Sequence, residues 1–139
     1  MVDGTSSSQG IEADSSLQYN PSTGVIATTG GFTDSKGDVR SIPMNTQSSA
    51  YVLVAADAGK AVSISSGGVT VNNSIFSAGQ AVTIINNSAA DQTITQGSGV
   101  TIYNSADAST GNRTLAARGM ATLWFRSAGA AYISGAGLS

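Results

Sequence analysis

From Ser74 to Tyr103 the chain reads SIFSAGQAVTIINNSAADQTITQGSGVTIY: apolar and polar residues alternate, stop at a small-residue turn, and alternate again. A period of two sends successive side chains to opposite faces of an extended strand, whereas a helix would scatter the same apolar residues around its circumference. In AVTIINN, Val82 and Ile84 share one face with Asn86 at its end, and Thr83, Ile85 and Asn87 take the other. In DQTITQ, Ile94 points with Gln92 and Gln96, while Thr93 and Thr95 oppose it. Thr and Ile both branch at Cβ, so either face favours extended backbone. The stretch is expected to fill a sheet interior with Val82, Ile84, Ile94, Val100 and Ile102 while Thr, Asn and Gln face outward.

The same signal recurs downstream of residue 38. Candidate strands are Val39–Ile42, Tyr51–Ala55, Ala61–Ser65, Val69–Asn72, Ala81–Asn86, Gln92–Gln96, Val100–Tyr103, Arg113–Ala116, Thr122–Arg126 and Ala131–Ser134. Small polar separators divide them, among them Asp57-Ala58-Gly59, Ser66-Gly67-Gly68 and Ser77-Ala78-Gly79. Short strands spaced by about 8–12 residues mark an all-β sandwich or barrel. Asn104 to Gly111 reads as a loop, because Ser109-Thr110-Gly111 ends any helical turn that Ala and Asp would start. The expected core is Leu53, Val62, Ile64, Val69, Val71, Ile75, Phe76, Val82, Ile84, Ile94, Val100, Ile102, Leu115, Leu123, Phe125 and Ile133. So thin a core suits an interlocked small sandwich, or an oligomer that shares burial between chains.

The fold expected is therefore all-β: a small β-sandwich or barrel-like domain over residues 39–139, preceded by an extended N-terminal arm. Residues 1–16, MVDGTSSSQGIEADSS, carry too little apolar surface to offset their own ordering entropy and read as a flexible arm, solvated or docked on a partner. Residues 17–38 read as a strand-turn-strand connector, since Asn20-Pro21-Ser22-Thr23-Gly24 is a strong turn signal between β-prone runs. Residues 1–40 hold five acids against two bases, a net −3, and the remainder holds three acids against four bases, a net +1.

Composition narrows function by exclusion. Only 10% of the 139 residues are charged, against about 25% in ordinary domains. A surface poor in ions suits close packing against other subunits, because few charges must be desolvated when it is covered. The net charge of −2 offers no cationic footprint for nucleic acid. No stretch approaches the roughly 18 apolar residues of a membrane span, and no export signal is visible. There is no histidine and no cysteine, which removes the commonest general base, the commonest transition-metal ligand and all thiol chemistry.

The remaining chemical candidates are thin. Asp34 and Asp38, and Glu12 and Asp14, are acid pairs in loop-like segments without the calcium-loop pattern. Lys36 and Lys60 stand outside any Ser-x-x-Lys frame. Gln96-Gly97-Ser98-Gly99 and Gly135-Ala136-Gly137 lack the following helix and lysine of a phosphate cradle. No catalytic, cofactor or metal residue is expected. Tyr19, Tyr51, Tyr103, Trp124 and Tyr132 are candidates for a sugar-stacking surface, but Trp124 lies within Leu-Trp-Phe, one face of which must be core, and buried or interfacial packing is the plainer reading.

Several pieces, kept in order and spacing, carry a resemblance. They are Arg40-Ser41-Ile42-Pro43, Tyr51-Val52-Leu53 with Asp57-Ala58-Gly59-Lys60, Phe76-Ser77-Ala78-Gly79, Gln92-Thr93-Ile94-Thr95, Gly111-Asn112-Arg113-Thr114-Leu115, and Ile133-Ser134-Gly135-Ala136-Gly137-Leu138. Asp38 to Ser139 thereby resembles a small β module of tailed-bacteriophage virion proteins, especially of cyanophages, which occurs in head decoration proteins and at tail-fibre ends. The usual module has Pro after its GVTV strand, where this chain has Asn72-Asn73. The resemblance implies a non-enzymatic structural protein of the virion. The expectation is a capsid decoration or cement protein that stabilises the head, a homo-oligomer and specifically a homotrimer, in contact with the major capsid protein or another virion protein and assembled in the host cytoplasm. The alternative is a tail-fibre or tail-tip receptor-binding module reading host polysaccharide. A cell-wall hydrolase is a distant third, since it needs paired carboxylates. Exposed neighbouring Tyr and Trp would favour the receptor reading, and their burial the cement reading. Candidate assembly contacts are Leu17, Tyr19, Val25, Ile26, Phe32, Thr83, Thr93 and Thr95.

Overall fold

The computed structural model describes residues 17–28, 31–35, 37–39 and 41–139; the expected arm at residues 1–16 lies outside them. The chain divides into two units, Met1–Arg40 and Ser41–Ser139. In the first, β1 (Leu17–Asn20) and β2 (Val25–Thr28) form an antiparallel hairpin, and β3 (Thr33–Asp34) pairs with β4 (Gly37–Asp38). Asn20 makes the first turn: its carbonyl accepts the Thr23 and Gly24 N–H groups, and its side chain accepts the Ser22 N–H and hydroxyl. Gly24 supplies the positive φ (69°) that closes the turn.

The second unit is built from β5 (Met44–Gln47), β6 (Tyr51–Val52), a 3-10 turn (Ala55–Asp57), β7 (Ala61–Ile64), β8 (Val69–Val71), β9 (Ala81–Asn86), β10 (Gln92–Gln96), β11 (Thr101–Asn104), β12 (Arg113–Ser127) and β13 (Ala130–Leu138). Nine strands join one nearly closed, barrel-like sheet in the order β5-β7-β9-β12-β10-β8-β6, with β13 on β12 and β11 on β13. The chain alternates between two wings. β5, β7 and β9 lie parallel in one, β6, β8 and β10 parallel in the other. Parallel neighbours need a long crossover, and here each crossover is the strand laid in the opposite wing.

β12 joins the wings. Its first residues, Arg113 to Leu115, pair with β10, and Met120 to Trp124 pair with β9. Between them the register slips, Arg118 takes a positive φ of 63°, and the strand bends. Sequence alternation reads this strand as two, Arg113–Ala116 and Thr122–Arg126; the bulge keeps it one strand of 15 residues. The strand expected at Val39–Ile42 is displaced to Met44–Gln47. Pro43 lacks an N–H, but its carbonyl accepts from Ala61 and starts the ladder, leaving Val39 and Ile42 exposed.

Side chains from both wings meet in a single core: Val62, Ile64, Val82, Ile84, Leu123, Phe125 and Ile133 from one, Leu53, Val69, Val71 and Ile94 from the other. Of the expected core residues only Ile75 is incompletely buried, and it packs against the cluster's edge. Phe76 and Phe125 stack at 4.5 Å between ring centroids.

Amide side chains close the seams where the wings part. Asn86, fully buried at the end of β9, donates to the carbonyls of Ala90 (2.8 Å), Leu115 (3.0 Å) and Ala116 (2.9 Å), filling the corner at the β12 bend. Gln96 Oε1 accepts the N–H groups of Ile102 (2.7 Å) and Gly111 (3.1 Å), sewing β10 to β11. Gln92 accepts the Gly68 N–H. The alternation that sets Asn86 with Val82 and Ile84, and Gln92 with Ile94, holds, and the general expectation that Asn and Gln face outward is corrected at these two buried residues. A sheet that splits strands buried carbonyls and amides, and only a side chain carrying both donor and acceptor satisfies them without a net charge.

Candidate assembly face

The functional site follows from what the six-stranded wing β5-β7-β9-β12-β13-β11 turns outward. Residues paired across adjacent strands share a face, so the registers define rows. One row is small: Ala61, Thr83, Thr122 and Ser134, with Met44 at its β5 end. Thr83 and Thr122 share a hydroxyl hydrogen bond of 3.0 Å. The next row is tall: Trp124 beside Tyr132, and Tyr132 beside Tyr103. The two tyrosine rings stack at 5.5 Å and 29°. On the other side of the small row stand Ile85 and Met120.

None of these three rows contains a charged residue. Arg126 lies one row beyond Trp124, and Arg118, bonded to Asn87 Oδ1 at 2.7 Å, lies beyond Met120. Met44 (65%), Met120 (52%), Trp124 (47%) and Tyr132 (41%) are substantially exposed. Leu123 and Phe125 take the core side of the Leu-Trp-Phe triplet, so Trp124 belongs to the outside. The exposure of neighbouring Trp124 and Tyr132 is the condition that favours a receptor-binding reading.

The candidate contacts separate into three places. Thr83 lies at the centre of this face. Thr93 and Thr95 lie on β10 in the other wing, Thr93 beside Thr114 and Thr95 beside Thr70. Leu17, Tyr19, Val25 and Ile26 belong to the β1–β2 hairpin of the first unit, with Leu17 opposite Thr28 and Tyr19 opposite Ile26. Val25, Ile26 and Phe32 are exposed. The Met44–Met120–Trp124 surface escaped sequence reasoning. Its signal was the absence of charge at alternate positions from Met120 to Trp124, of which the expected strand Thr122–Arg126 leaves out Met120.

Two polar clusters are structural in their geometry. Asp57 is buried, and its carboxylate accepts from Asn45 Nδ2 (2.8 Å), Tyr51 Oη (2.9 Å) and the Val54 N–H (2.9 Å), tying β5, β6 and the 3-10 turn together. Burial, and then the bond to Asp57, raise the Tyr51 phenol above its ordinary pKa. Arg113 is buried and donates to the Asn112 carbonyl and to Ser109 Oγ (3.0 Å), while its Nε has no protein partner among the described residues. Ser109 in turn donates to Asp107 at 2.6 Å, which lowers that carboxyl's pKa and pins the 105–110 loop.

Among the described residues no three of His, Cys, Asp and Glu come together as a metal site, and no helix is long and apolar enough to cross a membrane. No family model matches the sequence, and no curated protein matches it.

Proposed function

We propose that this chain is a non-enzymatic structural protein of a phage virion, a homo-oligomer that decorates or cements the capsid through uncharged β surfaces. One observation carries the reading: an outer sheet face of three charge-free rows with exposed Met44 and Met120, while the exposure of Trp124 and Tyr132 on that face is what favours the second reading below. Contiguous apolar surface of this kind marks a contact site, and aromatic and Met side chains are the types enriched at interfaces. The likeness to phage virion modules suggests the particle; the face suggests how copies of the chain join. The test is particle mapping: virions with and without the protein are imaged and its copies counted. Many copies spread over the head, and heads that lose stability while still adsorbing to cells, are the expected result. A few copies confined to the tail would overturn it.

A second reading, a tail-tip module that binds host polysaccharide, is favoured by the exposed Trp124–Tyr132–Tyr103 row, since sugar rings stack on flat aromatic faces. Trp124 is the sole tryptophan, so its fluorescence reports that row alone. Titration with host polysaccharide distinguishes the readings: a saturable shift supports receptor binding, and a flat trace supports assembly.

A further inference from the structure

We infer that the outer face of the β5-β7-β9-β12-β13-β11 wing is covered by a second copy of the same face, paired about a two-fold axis that runs across the strands between the small row and the aromatic row. The inference rests on the assembly reading and names its partner. The argument is one of shape. Trp124, Tyr132 and Tyr103 form a ridge; Thr83, Thr122 and Ser134 beside it form a trough. The rows are two residues apart along each strand, about 7 Å. A rotation about an axis midway between them sends each ridge over the partner's trough. Trp124 then rests on the second copy's Thr122, and Tyr132 on its Ser134. Every contact is made twice, as an isologous interface requires.

Electrostatics agrees. The two exchanged rows hold no charge, and the axis lays Arg126 of each copy over the partner's uncharged Ile85–Met120 row, so no like charges meet. The Thr83 and Thr122 hydroxyls already bond to each other, so covering them strands fewer polar groups. The axis exchanges two rows, and six strands at about 4.8 Å with two rows at about 7 Å give a face on the order of 400 Å² in projection. That is about half of the roughly 800 Å² per partner of a standard interface, so the pairing belongs to the small, reversible class. The homotrimer expected from the family resemblance would need a contact between two different patches, whereas ridge and trough here lie on one patch.

The test uses charge exchange in the full chain, with mass read by light scattering from about 1 to about 100 µM. The unaltered chain is expected to be a dimer. Trp124→Lys and Thr122→Glu, each alone, place two uncompensated charges in the interface and should weaken dimerisation at least about thirty-fold. Mixing the two variants should restore a heterodimer, because Lys at 124 then meets Glu at 122 while the native Thr122 and Trp124 meet at the other contact. Far-ultraviolet circular dichroism checks that both variants stay folded. A monomeric unaltered chain, a trimer, a dimer that survives both substitutions, or a mixture that stays monomeric overturns the pairing. So does a monomer whose Trp124 fluorescence shifts only with added capsids or polysaccharide. Virion incorporation is scored separately: a monomer that is still found in particles sinks the pairing and leaves the virion reading standing, and a dimer absent from particles does the reverse.

Discussion

Asn86 offers a quantitative test of the split sheet. It is fully buried; its two N–H groups are shared among the carbonyls of Ala90, Leu115 and Ala116, and its oxygen accepts from the Ser88 N–H and hydroxyl. Asn86→Ala removes bonds to the carbonyls of Ala90, Leu115 and Ala116, at about 0.5–1.5 kcal/mol each. The total is about 2–4 kcal/mol, toward the lower figure where water enters the vacated space. For a unit of about 100 residues each kcal/mol is worth about 4–8 °C in Tm, so a drop on the order of 10–30 °C is expected. Asn86→Asp separates hydrogen bonding from volume. It keeps the shape but turns a lone-pair oxygen toward three carbonyls and buries a charge, so at neutral pH it should be at least as damaging as Ala. The introduced carboxyl, raised above its unfolded pKa of about 4, is protonated more readily in the folded state. The Asp variant's deficit should therefore be smallest below that pKa and grow as pH rises through the folded value. Urea melts of both variants from acid to neutral pH are the assay. A loss under about 1 kcal/mol for Ala, or an Asp variant as stable as the parent at neutral pH, would refute the assignment of Asn86 as the corner staple.

Three further perturbations follow from the same seams. Gln96→Ala removes the acceptor for the Ile102 and Gly111 N–H groups and should cost about 1–3 kcal/mol, with amide exchange accelerated at Ile102 and unchanged at Val82. Tyr51→Phe removes a phenol whose pKa is raised in the fold by burial and the Asp57 bond. In the parent that phenol contributes stability in full below its unfolded pKa of about 10, lost as pH climbs through the folded value, so alkaline melts should fall less steeply in the variant. Gly135→Val would drive a Cβ into the Met120 carbonyl and Ala121 backbone where β13 crosses β12, and should cost about 3 kcal/mol, read by denaturation and by loss of amide protection along β13.

The strands whose residues alternate strongly were legible. β9 and β10 fall at the limits that AVTIIN and QTITQ predict, because one face is core and the other β-branched. β5 was not legible: Met-Asn-Thr-Gln has no β-branched aliphatic, and Asn45 and Gln47 turn toward a polar interior around Asp57 that local sequence does not announce. Nor was the joining of two expected strands into β12, since a bulge at Arg118 is stabilised by tertiary partners. Of the assembly face, Thr83 was visible as a strand's outer residue. Its alignment with Thr122 and Ser134 depends on strand order, which a single chain's periodicity leaves open.

The low charge content acquires a second cause from these seams. Where the sheet divides at β12, the corner carbonyls of Leu115 and Ala116 and the edge amide of Ile102 take side-chain amide partners. Lys, Arg, Asp or Glu would satisfy one polarity only and bury a charge, whereas Asn86 and Gln96 meet them as neutral groups. The Ile102 N–H turns away from β13, so the Gln96 bond, with the Ser109 carbonyl taking the Asn104 N–H, also caps the β11 edge against strand addition. At β5 the Pro43 and Gln47 carbonyls face β7, which turns the N–H and C=O groups of Met44 and Thr46 toward the open side. That edge is blunted only by its four-residue length and the preceding Pro43. The uncharged outer face therefore ends in a capped edge at β11 and a short open one at β5. Subunits meeting by their faces have a broad neutral surface, and the strands ending the sheet path, β5 and the two-residue β6, are short, which favours a closed assembly over an extending sheet.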